Sequence, residues 1–255
     1  MYICNRSFPN KKDGGFTMLL RGSSSKEKKI LSRIIELLNF SVSRLDYFMK
    51  RWDSNLRAST QAARWMMDIG LQLLYAEKEL GRLEEIKDIR EKLTAKLYII
   101  LYDHVVPALE KSYNVFTSLM KIINEIEDNL NVVRESLEEY SKFETSSEKI
   151  FEVVRGIIKE INEITSMYIQ NYEVKTIIRD EIISKMPSIV ELTNYFTVWR
   201  VEPHIRPDLI QQSRDEIEAG LTYLKNFYRN QFGSDAFIHS LDAEKLMDEK
   251  IERKK

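Results

Sequence analysis

Residues 66–89 read "MMDIGLQLLYAEKELGRLEEIKDI", and the point at which this stretch turns decides the fold. Helix-forming residues fill it on both sides of Asp68, Ile69 and Gly70. Glycine supplies the backbone freedom that a tight reversal needs, and it is the residue most expensive to hold inside a helix apart from proline. The sequence therefore predicts that a first helix ends near Met67 and that a second runs back from about Leu71 toward Pro107. Two such helices make a hairpin. A helix that passes straight through Gly70 is the alternative.

Toward the N-terminus the apolar positions recur at Leu31, Ile35, Leu38, Val42, Leu45, Met49, Trp52, Leu56, Ala63 and Met66, with a polar break at Ser59. Steps of four and three alternate, which is a heptad seam. A helix over residues 27–67 would be about 60 Å long at 1.5 Å per residue. Its apolar stripe requires a partner helix, because helices in proteins owe most of their stability to packing. Ser25 is the predicted N-cap. Residues 1–25, with "KKDGG" and "RGSSS", read as a flexible lead-in.

Toward the C-terminus, Leu73, Leu80, Leu83, Ile86, Leu93, Leu97, Ile100 and Leu101 carry the second helix to Pro107, which is predicted to end or kink it. Residues 108–140 form a third helical region. One side holds Leu119, Ile122, Ile123, Ile126, Leu130, Val133 and Leu137, and the other is acidic, with Glu125, Glu127, Asp128, Glu135, Glu138 and Glu139. Ser146 or Ser147 caps a fourth helix that runs to about Met186, where Pro187 breaks it. An aromatic, proline-bearing stretch over 188–207 precedes a last helix over 208–232, and Gly233 opens a charged tail. No period-two strand pattern persists. The expected fold is all-α: a long antiparallel helical hairpin with shorter helices packed on it. Its expected divisions are a lead-in at 1–25, a hairpin core with acidic helices at 26–186, an accessory helical segment at 187–232 and a tail at 233–255.

Composition agrees. The 255 residues include only 8 Gly and 5 Pro, and 31% are charged, as in long amphipathic helices. Cys4 is the single cysteine, so no internal disulfide forms and a reduced compartment is expected. No apolar run reaches the roughly 18–20 residues of a membrane span, and no signal-peptide core is visible. A cytoplasmic location follows as the expectation.

Catalytic signals are missing. His104, His204 and His239 lie far apart, none in a zinc-binding spacing. His104 reads as a helix-end histidine. Glycine-rich phosphate loops and nucleophile elbows are absent. No enzyme activity, cofactor or metal is expected. Trp52 and Trp65 read as core or interface anchors.

The net charge of −1 conceals a polarity: residues 1–64 hold 13 Lys/Arg and 5 Asp/Glu, and residues 65–255 hold 26 and 35. Along the first helix, Lys26, Lys28, Lys29, Arg33, Arg44, Lys50, Arg51, Arg57 and Arg64 mostly avoid the seam. Such a face attracts anionic lipid headgroups by roughly 1 kcal/mol per cation, in a salt-dependent way. Lipid ranks above nucleic acid, because no nucleic-acid-binding motif accompanies the charge. The same face could pair with the acidic third region of a neighbouring copy, or remain a solvated surface.

This organisation resembles that of ESCRT-III subunits, in particular the archaeal cell-division relatives called CdvB. The resemblance rests on three features: the order of basic helix, reversal and acidic helices; the stretch 44–83; and the placement of "SLMKIINEIEDNLNVVRESLEE". In 44–83 the matching positions are Arg44, Leu45, Asp46, Asp68, Ile69, Tyr75, Ala76, Glu79, Leu80 and Leu83. Residues 188–232 have no counterpart in that pattern. The resemblance implies a protein that polymerises with itself or with related subunits and binds anionic membrane at the inner face, through Lys26, Lys28, Lys29, Arg33, Arg44, Lys50, Arg51 and Arg57. It implies a closed form in which later acidic helices pack on the hairpin. The tail "EKLMDEKIERKK", with Met247, Lys250 and Ile251, is similar to motifs bound by an AAA ATPase, an ordinary charged tail being the alternative.

Overall fold

In the computed structural model the chain is an all-α bundle, described over residues 16–78, 87–143, 147–185 and 189–233. The helices are α1 (Phe16–Lys78), α2 (Lys87–Ile100), α3 (Val106–Tyr140), α4 (Glu148–Lys185), α5 (Ile189–Val201) and α6 (Pro207–Phe232), with a wide π-type turn over Leu101–Val105 between α2 and α3. No described helix is long and apolar enough to cross a membrane.

Three expectations are corrected. First, α1 begins at Phe16, so "RGSSS" lies inside the helix and Ser25 does not cap it. Second, α1 runs through Asp68 and Gly70 to Lys78, so no reversal occurs there. One interior glycine costs about 1 kcal/mol, whereas burying Ile69 and Leu73 on the seam contributes roughly 1.5–3 kcal/mol each. The described part of α1 ends at Lys78, and the next described helix, α2, begins at Lys87. Third, Pro107 does not break the return limb. It stands in the first turn of α3, where its missing N–H has no helical partner to lose. The turn before it is widened, and the Val106 N–H donates to the Leu101 carbonyl five residues back.

The return limb is therefore α2, the wide turn and α3 together, and α3 is the main partner of α1. Residues 108–140 are the long arm of the hairpin itself. Polar contacts fix its direction. Lys26 pairs with Glu139 at 2.9 Å, Arg44 with Glu125, and Asn55 Nδ2 donates to the Ser112 carbonyl at 2.8 Å. Partner numbers fall as α1 numbers rise, so the two limbs are antiparallel. Between them Leu31, Ile35, Leu38, Leu45, Met49 and Trp52 are buried, and Val42 and Leu56 are half-buried against the same core. Facing them, α3 buries Phe116, Leu119, Ile123, Ile126, Leu130, Val133 and Leu137.

The last three helices close over this hairpin. The α5 helix lies mainly on α1, and α6 lies on α4 and α1. One hydrophobic cluster joins the hairpin to Phe196 and Trp199 of α5 and to Ile217, Leu224 and Tyr228 of α6, so the helices of the expected accessory segment share the hairpin's core. Gly220 permits the close crossing of α6 on α4, since a Cβ there would stand 2.8 Å from Ile157 Cγ1.

Candidate functional surface

The α1 helix presents its core stripe to α3 and α5, and this leaves one side in water. On that side Lys26, Lys29, Arg33, Lys50, Arg51, Arg57 and Arg64 are exposed, while the exposed acids of α1, among the described residues, are Glu36, Asp53 and Asp68. Lys28 and Arg44 are half-buried. Some of the charge is answered within the chain. Lys26 meets Glu139 and holds its carboxyl below the usual range, first by a hydrogen bond and then by its charge. Arg44 pairs with Glu125. On the opposite flank Asp46 meets Arg214 of α6 at 2.9 Å. Arg51 lies against Tyr47, donating to its hydroxyl at 3.2 Å. The cationic side is thus an edge whose flank toward α3 is partly neutralised and whose centre faces solvent.

The two tryptophans singled out in the sequence part company. Trp52 is fully buried, whereas Trp65 is 52% exposed on the outer side of α1 and anchors no core. His104 is exposed in the wide turn and His204 is exposed after α5. Residues Cys4, His239, Met247, Lys250 and Ile251 lie outside the described residues.

A buried polar node is the feature that sequence reading missed. Glu202 ends α5 in a left-handed conformation, at φ 51°, with Pro203 following to stop the helix. That turn aims its carboxylate inward. Lys175 Nζ of α4 lies 3.0 Å from Glu202 Oε1 and donates to the Trp199 carbonyl at 2.8 Å. Trp52 Nε1 of α1 donates to the same Oε1 at 2.8 Å, and Trp199 Nε1 donates to Ser59 Oγ at 3.0 Å. The break in the α1 heptad at Ser59 has its reason here: the hydroxyl accepts the α5 indole. The Lys175 ammonium also stands 4.7 Å from the Trp199 ring centre and 5.0 Å from that of Phe116. Burial pulls the Lys175 pKa below its ordinary value, and the Glu202 charge opposes that shift without cancelling it. These polar groups satisfy one another and are shut from solvent, so the node ties α1, α4 and α5 together.

A cleft between α3 and α4, lined by Ile126, Leu130, Asn162 and Thr165, has a volume of about 170 Å³, and a wide, open depression of about 550 Å³ lies along α4 at Arg155, Ile158, Lys159, Asn162, Glu163 and Ser166. Among the described residues no group of three or more His, Cys, Asp or Glu side chains is placed to hold a metal ion. Comparison with family profiles, with curated proteins and with solved structures finds no match.

Proposed function

We propose that the chain is a non-catalytic, filament-forming protein of the ESCRT-III type that binds anionic membrane through α1 and acts in membrane constriction or cell division. The observation that supports this best is the outer edge of α1, where seven cations and three acids are exposed among the described residues. Residues 26–64 span about 57 Å at 1.5 Å per residue. A charged edge of this length matches a surface rather than a pocket. Packing of α5 and α6 on the hairpin is compatible with a closed subunit. In this reading the partners are further copies or related subunits, the membrane, and an AAA ATPase that takes the tail around Met247, Lys250 and Ile251. The location would be peripheral, at the inner membrane face.

Co-sedimentation with phosphatidylserine vesicles, together with negative-stain imaging, tests it. Binding is expected at low salt and is expected to fall steeply as salt rises. Lys29→Ala with Arg33→Ala should weaken it about 30-fold, at roughly 1 kcal/mol per cation. Salt-independent binding, or no binding and no polymer, would sink the reading.

A plain helical scaffold without lipid affinity is the second reading. It is favoured by the pairing of Lys26 and Arg44 inside the chain, which neutralises one of the seven exposed cations and the half-buried arginine on the same flank. A discrete oligomer indifferent to vesicles would select it. A metal-binding bundle of the PhoU kind, the third reading, has no carboxylate cluster to support it among the described residues.

A further inference from the structure

We propose that Tyr47 and Trp65 are interfacial anchors, aromatic side chains that enter the headgroup layer of an anionic membrane beside the cations of α1. This rests on the membrane reading above and names how that surface is held. Lys29, Tyr47 and Trp65 follow one another at intervals of 18 residues. Eighteen residues are about five turns of an α-helix, so the three leave α1 on one side. All three are exposed. Between the two rings the exposed charged side chains of α1 are Lys50, Arg51, Arg57 and Arg64 against Asp53 alone. The rings are thus set within the cationic edge.

Tyr47 is bracketed by arginine. The Arg51 guanidinium lies 5.6 Å from its ring centre and that of Arg44 lies 6.0 Å away, while Arg51 Nε donates to its hydroxyl at 3.2 Å. An arginine held along a ring in this way keeps its terminal N–H groups for a phosphate. Trp65 is about half exposed, whereas Trp52 and Trp199, the other two tryptophans of the chain, are fully buried.

The chemistry of these side chains selects the partner. A membrane interface is layered, with phosphates outermost and apolar chains just beneath. Lys and Arg reach the first layer, and Tyr and Trp, apolar rings with one polar edge, settle at the boundary. The acidic face of a second copy supplies charge without the apolar layer: every exposed side chain of α3 from Lys121 to Glu138 is polar. Docked there, the cations would be answered and both rings would gain nothing.

Tryptophan fluorescence of the unaltered full chain tests the proposal, because Trp65 is the exposed one of the three. On addition of phosphatidylserine vesicles its emission should shift to the blue. Phosphatidylcholine brominated along its acyl chains, mixed into the vesicles, should quench it, and Trp65→Phe should abolish the shift. Roughly 100 Å² of the Trp65 side chain is exposed, and withdrawing half of that from water is worth about tenfold in affinity. Trp65→Ala should therefore weaken vesicle binding about tenfold, and Tyr47→Ala about fivefold by the same reckoning. Neither should change the salt dependence, which Lys29→Ala with Arg33→Ala should reduce. Circular dichroism checks that the helices persist, and the quenching of the unaltered chain needs no variant. Bound vesicles with unmoved, unquenched emission would overturn the anchors and leave the membrane reading standing. Absence of vesicle binding at any salt would overturn both. A blue shift that grows with protein concentration and needs no vesicles would assign the rings to a second copy and likewise overturn the proposal.

Discussion

Replacing Lys175 by methionine is expected to lower the stability of the chain by about 3–5 kcal/mol, because it leaves the Glu202 carboxylate buried without a counter-charge. At roughly 2–4 °C per kcal/mol for a chain of this size, Tm should fall by about 6–20 °C. Glu202→Gln should be costly for the mirror reason: Lys175 would keep the Trp199 carbonyl as acceptor and lose its anion. The double replacement, Lys175→Met with Glu202→Gln, should recover much of the loss. Neither charge is then buried, and the glutamine oxygen still accepts from Trp52 Nε1. The coupling read from this cycle, by urea unfolding followed by circular dichroism, is the decisive quantity. Additive single effects, or single replacements within about 0.5 kcal/mol of the parent, would show that the pair carries no such role.

The second large effect is expected at Trp52. Its ring centre lies 4.3 Å from that of Phe116, 5.2 Å from Tyr168 and 5.6 Å from Phe48. Trp52→Ala removes that packing and opens a cavity, which typically costs about 3–5 kcal/mol, and it also takes a donor from Glu202. Trp52→Phe should cost less, since it keeps a ring and loses the N–H. The exposed Trp65 is the internal control: Trp65→Ala should change the stability of the monomer by about 0.5 kcal/mol or less. Equal effects at the two tryptophans would contradict the burial described here.

The heptad of α1 was legible because apolar steps of four and three, alternating over about five repeats, are what one buried face of a long helix produces. The turn was not. Gly70 looked like punctuation, yet a seam that continues through Ile69 and Leu73 outweighs one glycine. Reading residues 108–140 as a third region outside the hairpin follows from that misplacement, since a return limb that starts later must also end later. The buried node had a signal of its own. Along α4 the buried positions Ile150, Val154, Ile157, Ile161, Ile164, Tyr168, Asn171, Lys175, Ile178 and Ile182 step by four and three without a break. A lysine on such a stripe is buried and must be paired, so Lys175 could have been picked out from spacing alone. Its partner could not, because only the left-handed turn at Glu202 brings that carboxylate inward from the end of a different helix. Trp65 stays out of the core for a simpler reason: the stripe passes through the small residues Ala62 and Ala63, and the large ring beside them points outward.

The wide turn at Leu101–Val105 has a consequence for where the chain tolerates change in length. The buried residues that cross it, Leu97, Leu101, Val105 and Leu109, stand four apart three times in succession, one residue more than a regular heptad spends on that distance. An unbroken α-helix would turn each added residue by about 100° and swing the buried side of α2 off α1. The turn absorbs the surplus residue and keeps both arms in phase. A single deletion within it should convert it to ordinary α-helix and leave the phase intact. The same deletion a few turns farther along α3, where nothing compensates, would rotate one whole side of the limb away from its partner.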